Sequence, residues 1–398
     1  MDSWWEIPSL DNYLAQLVQK LWGGNIVLVF LPEIIPLDFF SEFKEKCKRC
    51  NITEFAVIDF NGDESLNPAK VLHDYFELGE AETFVPKNIG AIFDNIKKSS
   101  QRLIVLQNFS KVNQKEFLSF MDDLFHYNKN VELTNRDKIL VIIDNGSYKP
   151  SDFKPEPFVQ KEIFSQVIDE LTQLNSLRYY IKYKHESLGH LYESIIISLA
   201  IFDSWITERL VECSSLLDDY EKVLKEYAHE KKWQSISFKS KDTFSEKEKW
   251  DGWAKGILDF ENNDIVYHSA YLQINSFEKE VKKRIWKSCS RNIIPLIEDI
   301  RNKLVISNKT EFTRGAYLIN PKELKKDKDE FEIGDIAYCV NTKLINIKCA
   351  DNSKRKRIID LINLCKDIRN EVSHLKIPER NKIESFYKEL KYIDDILN

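Results

Sequence analysis

Over the first 150 residues the apolar positions fall into short unbroken runs: NIVLVFLP (25–32), EFAVIDFNG (54–62), RLIVLQNFS (102–110) and KILVIIDNGS (138–147). Turn residues bound each run, and a stretch with helical spacing follows it. Continuous apolar runs predict strands buried on both faces, and their alternation with helices predicts a parallel α/β sheet. The segment SYKPSDFKPEPF (147–158) breaks the pattern with Pro150, Pro155 and Pro157, which predicts a boundary or a lid.

From about 160 to 310 the apolar positions recur every three or four residues, as in HLYESIIISLAIFDSWITERLVECSSLL (190–217), with no strand-like runs. Residues 310–355 read as a polar connector whose KELKKDKDEFEIGD (322–335) predicts an exposed loop. A last helical unit extends from there to Asn398. The fold class expected is α/β followed by all-α, with an α/β domain over 1–158, a helical domain over 159–310 and a second helical domain over 311–398.

Composition changes this picture little. With 398 residues, 43% of them hydrophobic, the chain has enough apolar content for more than one core. A net charge of −6 leaves any nucleic-acid contact to local basic patches. No apolar run reaches the ~18 residues of a membrane span, and MDSWWEIPSL lacks a basic segment leading into an apolar one. The expectation is a cytoplasmic protein with no membrane partner. Seven cysteines fit free thiols in a reducing compartment, and Cys47-Lys-Arg-Cys50 lacks the second ligand pair of a zinc site, so no metal is expected.

The layout of the first 175 or so residues resembles the P-loop NTPases, in particular the signal-transducing kind with a long helical region after the core. A working P-loop needs glycines, a lysine and Ser/Thr after the first strand. Here the strand enters LPEIIPLDFFSEF (31–43), where two prolines lack N–H donors, Glu33 repels phosphate and the first lysine is Lys44. Gly23 and Gly24 precede the strand, and Gln107 and Asn108 stand where Mg²⁺-binding acids are expected. The resemblance is therefore to inactive, STAND-like modules of bacterial conflict systems, which implies no ATP, no cofactor and a role in assembly or sensing. The alternative is an unrelated α/β domain that never bound nucleotide.

Near the C-terminus stands RNEVSHL (369–375). Ile358, Leu361, Ile362, Cys365, Ile368, Val372 and Leu375 form one apolar stripe, and at ~100° per residue Asn370 and His374 lie about 160° and 200° from Val372. They are i, i+4 neighbours on the face away from the core, with Arg369 nearer the stripe's edge. This spacing resembles the R-x4-6-H motif of the HEPN superfamily. The resemblance implies a helical bundle whose motifs meet across a homodimer or partner interface to form a metal-independent endoribonuclease, with Arg369, Asn370 and His374 catalytic. A histidine near neutral pKa can take the 2′-OH proton, an arginine can hold the phosphate, and an amide can orient the imidazole.

Lys354, Arg355, Lys356 and Arg357 are the expected RNA-binding cluster. Arg291-Asn292, Arg301-Asn302 and the His185/His190 pair are weaker candidates, read as solvated flanks. Trp4, Trp5 and Trp22 are expected to pack against the α/β domain's edge. The function expected is a regulated ribonuclease effector of a bacterial antiphage or conflict system. The alternative is a non-catalytic adaptor of a defence complex, with the same fold.

Overall fold

The computed structural model describes residues 4–24, 26–61, 67–79, 89–97, 99–132, 135–144, 146–184, 189–236, 244–261, 264–308, 331–347 and 351–390. The four apolar runs form β1 (Ile26–Leu31), β2 (Glu54–Asp59), β3 (Arg102–Gln107) and β4 (Lys138–Asp144), and β5 (Val159–Ile163) completes a five-stranded sheet of order β2-β3-β4-β1-β5. All of its pairings are parallel. Before the first strand lies α1 (Pro8–Gly24), and between and after the strands lie α2 (Phe39–Arg49), α3 (Pro68–Tyr75), α4 (Ile89–Asn95), α5 (Gln114–Asn130) and α6 (Glu170–Lys184).

Strand alternation sends Val27, Val29, Leu103, Val105 and Leu140 into a core shared with Leu10, Leu14, Leu17 and Leu21 of α1 and Phe43 and Cys47 of α2. Phe30 points the other way, its ring 6.0 Å from Phe153 and 5.7 Å from Trp250. A sheet covered on both faces explains why its central strands read as unbroken apolar runs. Trp5 is buried in this core and donates its indole N–H to the Leu37 carbonyl at 2.6 Å. Trp22 is 48% exposed, under the Lys138 ammonium at 4.1 Å from its ring.

The rest of the chain forms α7 (His190–Ala200), α8 (Ser204–Val211), α9 (Leu216–Glu230), α10 (Glu246–Ala254), β6 (Leu258–Glu261), β7 (Asp264–Tyr267), α11 (Ser269–Ile274), α12 (Glu278–Ser307), α13 (Ile333–Asn341), α14 (Asn352–Ser373) and α15 (Arg380–Leu390). The chain divides into two units, discontinuous in sequence. One collects Met1–His185, Ala200–Arg209 and Glu226–Tyr271, and the other Glu186–Leu199, Leu210–Lys225 and Leu272–Asn398.

Three expectations change. The proline segment is a packed connection inside the first unit. Tyr148 and Phe153 are buried, Lys161 of β5 donates to the Pro150 carbonyl at 2.8 Å, and β5 begins just past it. The stretch 160–310 is not wholly helical, because β6 and β7 pair antiparallel. Each has four residues, too few for periodicity to mark them. The connector over 310–355 contains α13, with Glu332 and Asp335 forming a capping box and Ile333, Ile336, Ala337, Cys339 and Val340 buried. Residues 309–330, and with them most of the lysine and aspartate-rich stretch, lie outside the described residues.

In the second unit α14 packs on α12, α13 and α15. Ile358, Leu361, Ile362, Cys365, Ile368 and Val372 are buried, as the stripe requires. Leu375 is not. It is 70% exposed, because the helix stops at Ser373 and Leu375 turns into the left-handed region at φ 58°.

Candidate functional site

In open parallel sheets ligands bind beyond the carboxyl ends of the strands, where strand order switches direction. Here that place is the end of β1, between β4 and β5. It is filled by α10. The Glu33 N–H, just past β1, donates to the Ala254 carbonyl at 2.7 Å. Trp250 donates to the Gly146 carbonyl at 3.3 Å and packs against Trp253 in a tilted pair with ring centres 4.5 Å apart.

Two glycines make this closeness feasible. A Cβ on Gly146 (φ 65°) would come 2.3 Å from the Ala254 Cβ, and one on Gly256 (φ 68°) would come 2.3 Å from Ile34 Cδ1. The space left among Pro32, Ile34, Phe164, Trp253 and Leu258 is about 10 Å³, the size of one water at most. With no N–H on Pro32 or Pro36 and that of Glu33 spent, the segment after β1 has little to offer a phosphate.

Gln107 and Asn108 do end up at this edge of the sheet. Asn108, at φ 64°, donates its amide to Asp59 Oδ2 at 2.6 Å, and the Asn61 N–H donates to Asp59 Oδ1 at 2.8 Å. Asp144, at the end of β4, has its carboxyl pushed up, chiefly by burial and then by the Asp59 charge. These two carboxylates, the last residues of their strands, went unread in the sequence because a terminal Asp is also an ordinary strand stop. Among the described residues no group of three His, Cys, Asp or Glu side chains is placed to hold a metal ion. Burial, then Cys50, pushes the Cys47 thiol up to about 12, so it is inert.

The RNEVSHL residues occupy the C-terminal tip of α14. Asn370 and His374 are exposed, and the His374 N–H bonds back to the Asn370 carbonyl at 3.1 Å, so the two stand one turn apart. Two turn bonds close the helix, Lys376 N–H to the Glu371 carbonyl at 2.9 Å and Leu375 N–H to that of Val372 at 3.1 Å. This is a Schellman turn with leucine where glycine is usual. Trp286 of α12 donates its indole N–H to the Val372 carbonyl at 2.6 Å, pinning the tip. Arg369 is half-buried, its guanidinium 3.0 Å from the carboxylate of Glu332, the residue that caps α13. That pair neutralises the one cation the motif supplies.

The Lys354–Arg357 cluster is not brought to this tip. It lies in the first turns of α14, a helix of 22 residues and therefore about 33 Å long, while His374 caps the other end. Arg355 bonds to Asn346, and Arg357 pairs with Glu389 at 2.7 Å. Arg301 is also occupied, by Glu298 at 2.7 Å and the Phe331 carbonyl at 3.2 Å, and exposed His190 pairs with Glu193 at 3.3 Å. His185 lies outside the described residues.

One polar group in the first unit escaped the sequence reading altogether. Asp203, wholly buried, accepts the Tyr227 hydroxyl, the His268 Nε2–H at 3.1 Å and the Trp205 N–H at 2.8 Å. The Ala270 N–H donates to His268 Nδ1 at 3.1 Å, which makes His268 the neutral Nε2–H tautomer. Burial and then Asp203 push the Tyr227 phenol far up, so it stays a donor. With Asp203 and His268 at 0% exposure no substrate reaches them, and the group ties α8, α9 and α11 together.

No protein-family model matches the chain, and no curated protein does. Among solved structures it is similar to chains of the Drosophila ORC bound to poly(dA/dT) DNA and Cdc6 (10% identity, 97% of this chain and 69% of that chain covered, TM-score 0.28). Similar values hold for the Drosophila ORC bound to DNA, at 11% identity, 98% and 72% coverage and TM-score 0.28.

Proposed function

We propose that the chain is a regulated, metal-independent endoribonuclease of a bacterial antiphage or conflict system, with a HEPN-like bundle as its effector and a degenerate, STAND-like N-terminal module for assembly or sensing. One observation carries the reading. Asn370 and His374 stand exposed one turn apart at a pinned helix tip, where neither serves the core of its unit. His374 takes the 2′-OH proton, Asn370 orients the imidazole, and Arg369, once exchanged from Glu332, holds the phosphate. A second copy, or a partner, completes the site. The α10 plug at the end of β1 supports the companion reading that the N-terminal module does not turn over ATP.

RNA cleavage by the full chain tests this. His374→Ala and Arg369→Ala each abolish cleavage while folding is retained, since surface truncation costs within about 0.5 kcal/mol. Cleavage persists in EDTA, and its products end in 2′,3′-cyclic phosphate. EDTA-sensitive cleavage, or cleavage retained by His374→Ala, overturns the reading. The adaptor reading draws on the Arg369–Glu332 pair, which occupies the phosphate-binding cation. It prevails where both variants lose biological function yet the parent chain cuts no RNA.

A further inference from the structure

Resting on the ribonuclease reading, we propose that single-stranded RNA reaches His374 across the N-terminal half of α12, and not across the Lys354–Arg357 cluster. Residues 278–287 read EKEVKKRIWK, five cations against Glu278 and Glu280. Lys279, Lys282, Lys283 and Lys287 are all exposed, and at ~100° per residue they share an arc of about 140° with Trp286 inside it. Because the Trp286 indole is bonded to the Val372 carbonyl, the lysine face and the helix tip bearing His374 belong to one surface.

A groove of about 760 Å³ opens on that surface, lined by Leu217, Tyr220, Lys282, Leu375, Lys376 and Pro378 among others. Its apolar sides suit a base, and on its mixed rim Lys282 and Lys376 can meet a phosphate while Asp218 is engaged by Arg380 and Glu379 also lines it. Phe277 is 53% exposed at the start of α12, and Leu375 is 70% exposed beside His374. An exposed aromatic ring at the end of a lysine-bearing helix gives a single strand a surface on which a base stacks while its phosphates meet the cations.

The acids nearby hold these cations loosely. Lys282 lies 3.7 Å from Glu221 and Lys283 3.9 Å from Glu280, ion pairs that a polyanion can displace. Arg380 is different, bonded to Ser215 at 2.6 Å and to Asp218 at 3.1 Å. It shapes the groove and contributes little to binding. An acidic protein segment would match the lysines but leave the exposed Phe277 ring unexplained.

The test uses the full chain carrying His374→Ala, so that bound RNA stays intact, and fluorescence anisotropy with a labelled oligouridine over a range of salt. Combining Lys282→Glu, Lys283→Glu and Lys287→Glu should weaken binding at least tenfold and flatten the slope of log K against log salt by about 0.7 for each lost phosphate contact. Phe277→Ala should weaken binding by about fivefold or more. Lys354→Glu with Lys356→Glu should bind like the parent.

Equal binding by the triple variant, loss confined to the 354 and 356 variant, or no RNA binding by the parent at low salt overturns the proposal. So does an acidic peptide that binds through the same lysines while RNA does not. The underlying reading fails separately: cleavage that survives His374→Ala removes the nuclease assignment but leaves a lysine-dependent RNA surface standing.

Discussion

At the scale of single residues, the candidate site is set by how a helix ends. His374 is the cap, and Leu375 takes a left-handed conformation that costs a non-glycine residue about 1–2 kcal/mol. The stripe placed Leu375 in the core by extrapolating 100° per residue past Ser373. Periodicity cannot see a stop that a Schellman turn and the Trp286 hydrogen bond impose from outside the helix. Arg369 lies near the stripe's edge as expected, but its partner Glu332 is distant in sequence and was illegible. Glu332→Gln should leave stability within about 1 kcal/mol, since the pair is partly exposed. It should raise RNA affinity or cleavage severalfold, and unchanged values in both assays would show that the pair does not restrain Arg369.

Asp144 yields a prediction with a defined sign. Its carboxyl is pushed up in the folded chain, so the folded state holds the proton better than the unfolded one. Stability is then lost as pH rises from the usual carboxylate range through the raised value. Asp144→Asn should therefore shift the denaturant midpoint upward at neutral pH, with the gain shrinking in acid. A gain that is constant with pH would assign the effect to packing.

At the scale of elements, the sheet and the plug are read with very different ease. The strands were legible because a strand covered on both faces needs only apolar side chains in an unbroken row. Nothing in EKEKWDGWA marks α10 as the element that fills the end of β1. Its role rests on Gly146 and Gly256, whose missing side chains let two distant backbones touch. Trp250→Ala removes the contacts with Phe30 and Trp253, and should destabilise the chain by about 3–5 kcal/mol. It should not create ATP binding, because the prolines and Glu33 remain. Micromolar ATP affinity by calorimetry in this variant would show that the plug, and not the residues after β1, keeps nucleotide out.

For the whole molecule, discontinuity matters most. A linear reading divides the chain at composition changes, whereas the compact units exchange segments such as Ala200–Arg209 and Leu210–Lys225. The proposed composite site makes assembly testable. The full chain should sediment as a homodimer or require a partner, and Asn370→Arg should weaken that association about tenfold or more by setting like charges against each other. A monomer that cleaves RNA as well as the dimer would remove the composite site.

By itself the sequence determined what depends on neighbours along the chain: the strand runs, the amphipathic helices, the absence of glycine and lysine over residues 31–43 after β1, and the face of α14 that carries Asn370 and His374. Each follows from a period of two or 3.6 residues or from side-chain chemistry at adjacent positions. Tertiary structure alone decided that α10 covers the end of β1, that Glu332 holds Arg369, that Asp203, Tyr227 and His268 form one buried group, and that Lys282 of α12 lines one groove with Leu375 and Lys376. These are pairings between residues far apart in sequence, which packing creates and periodicity does not encode.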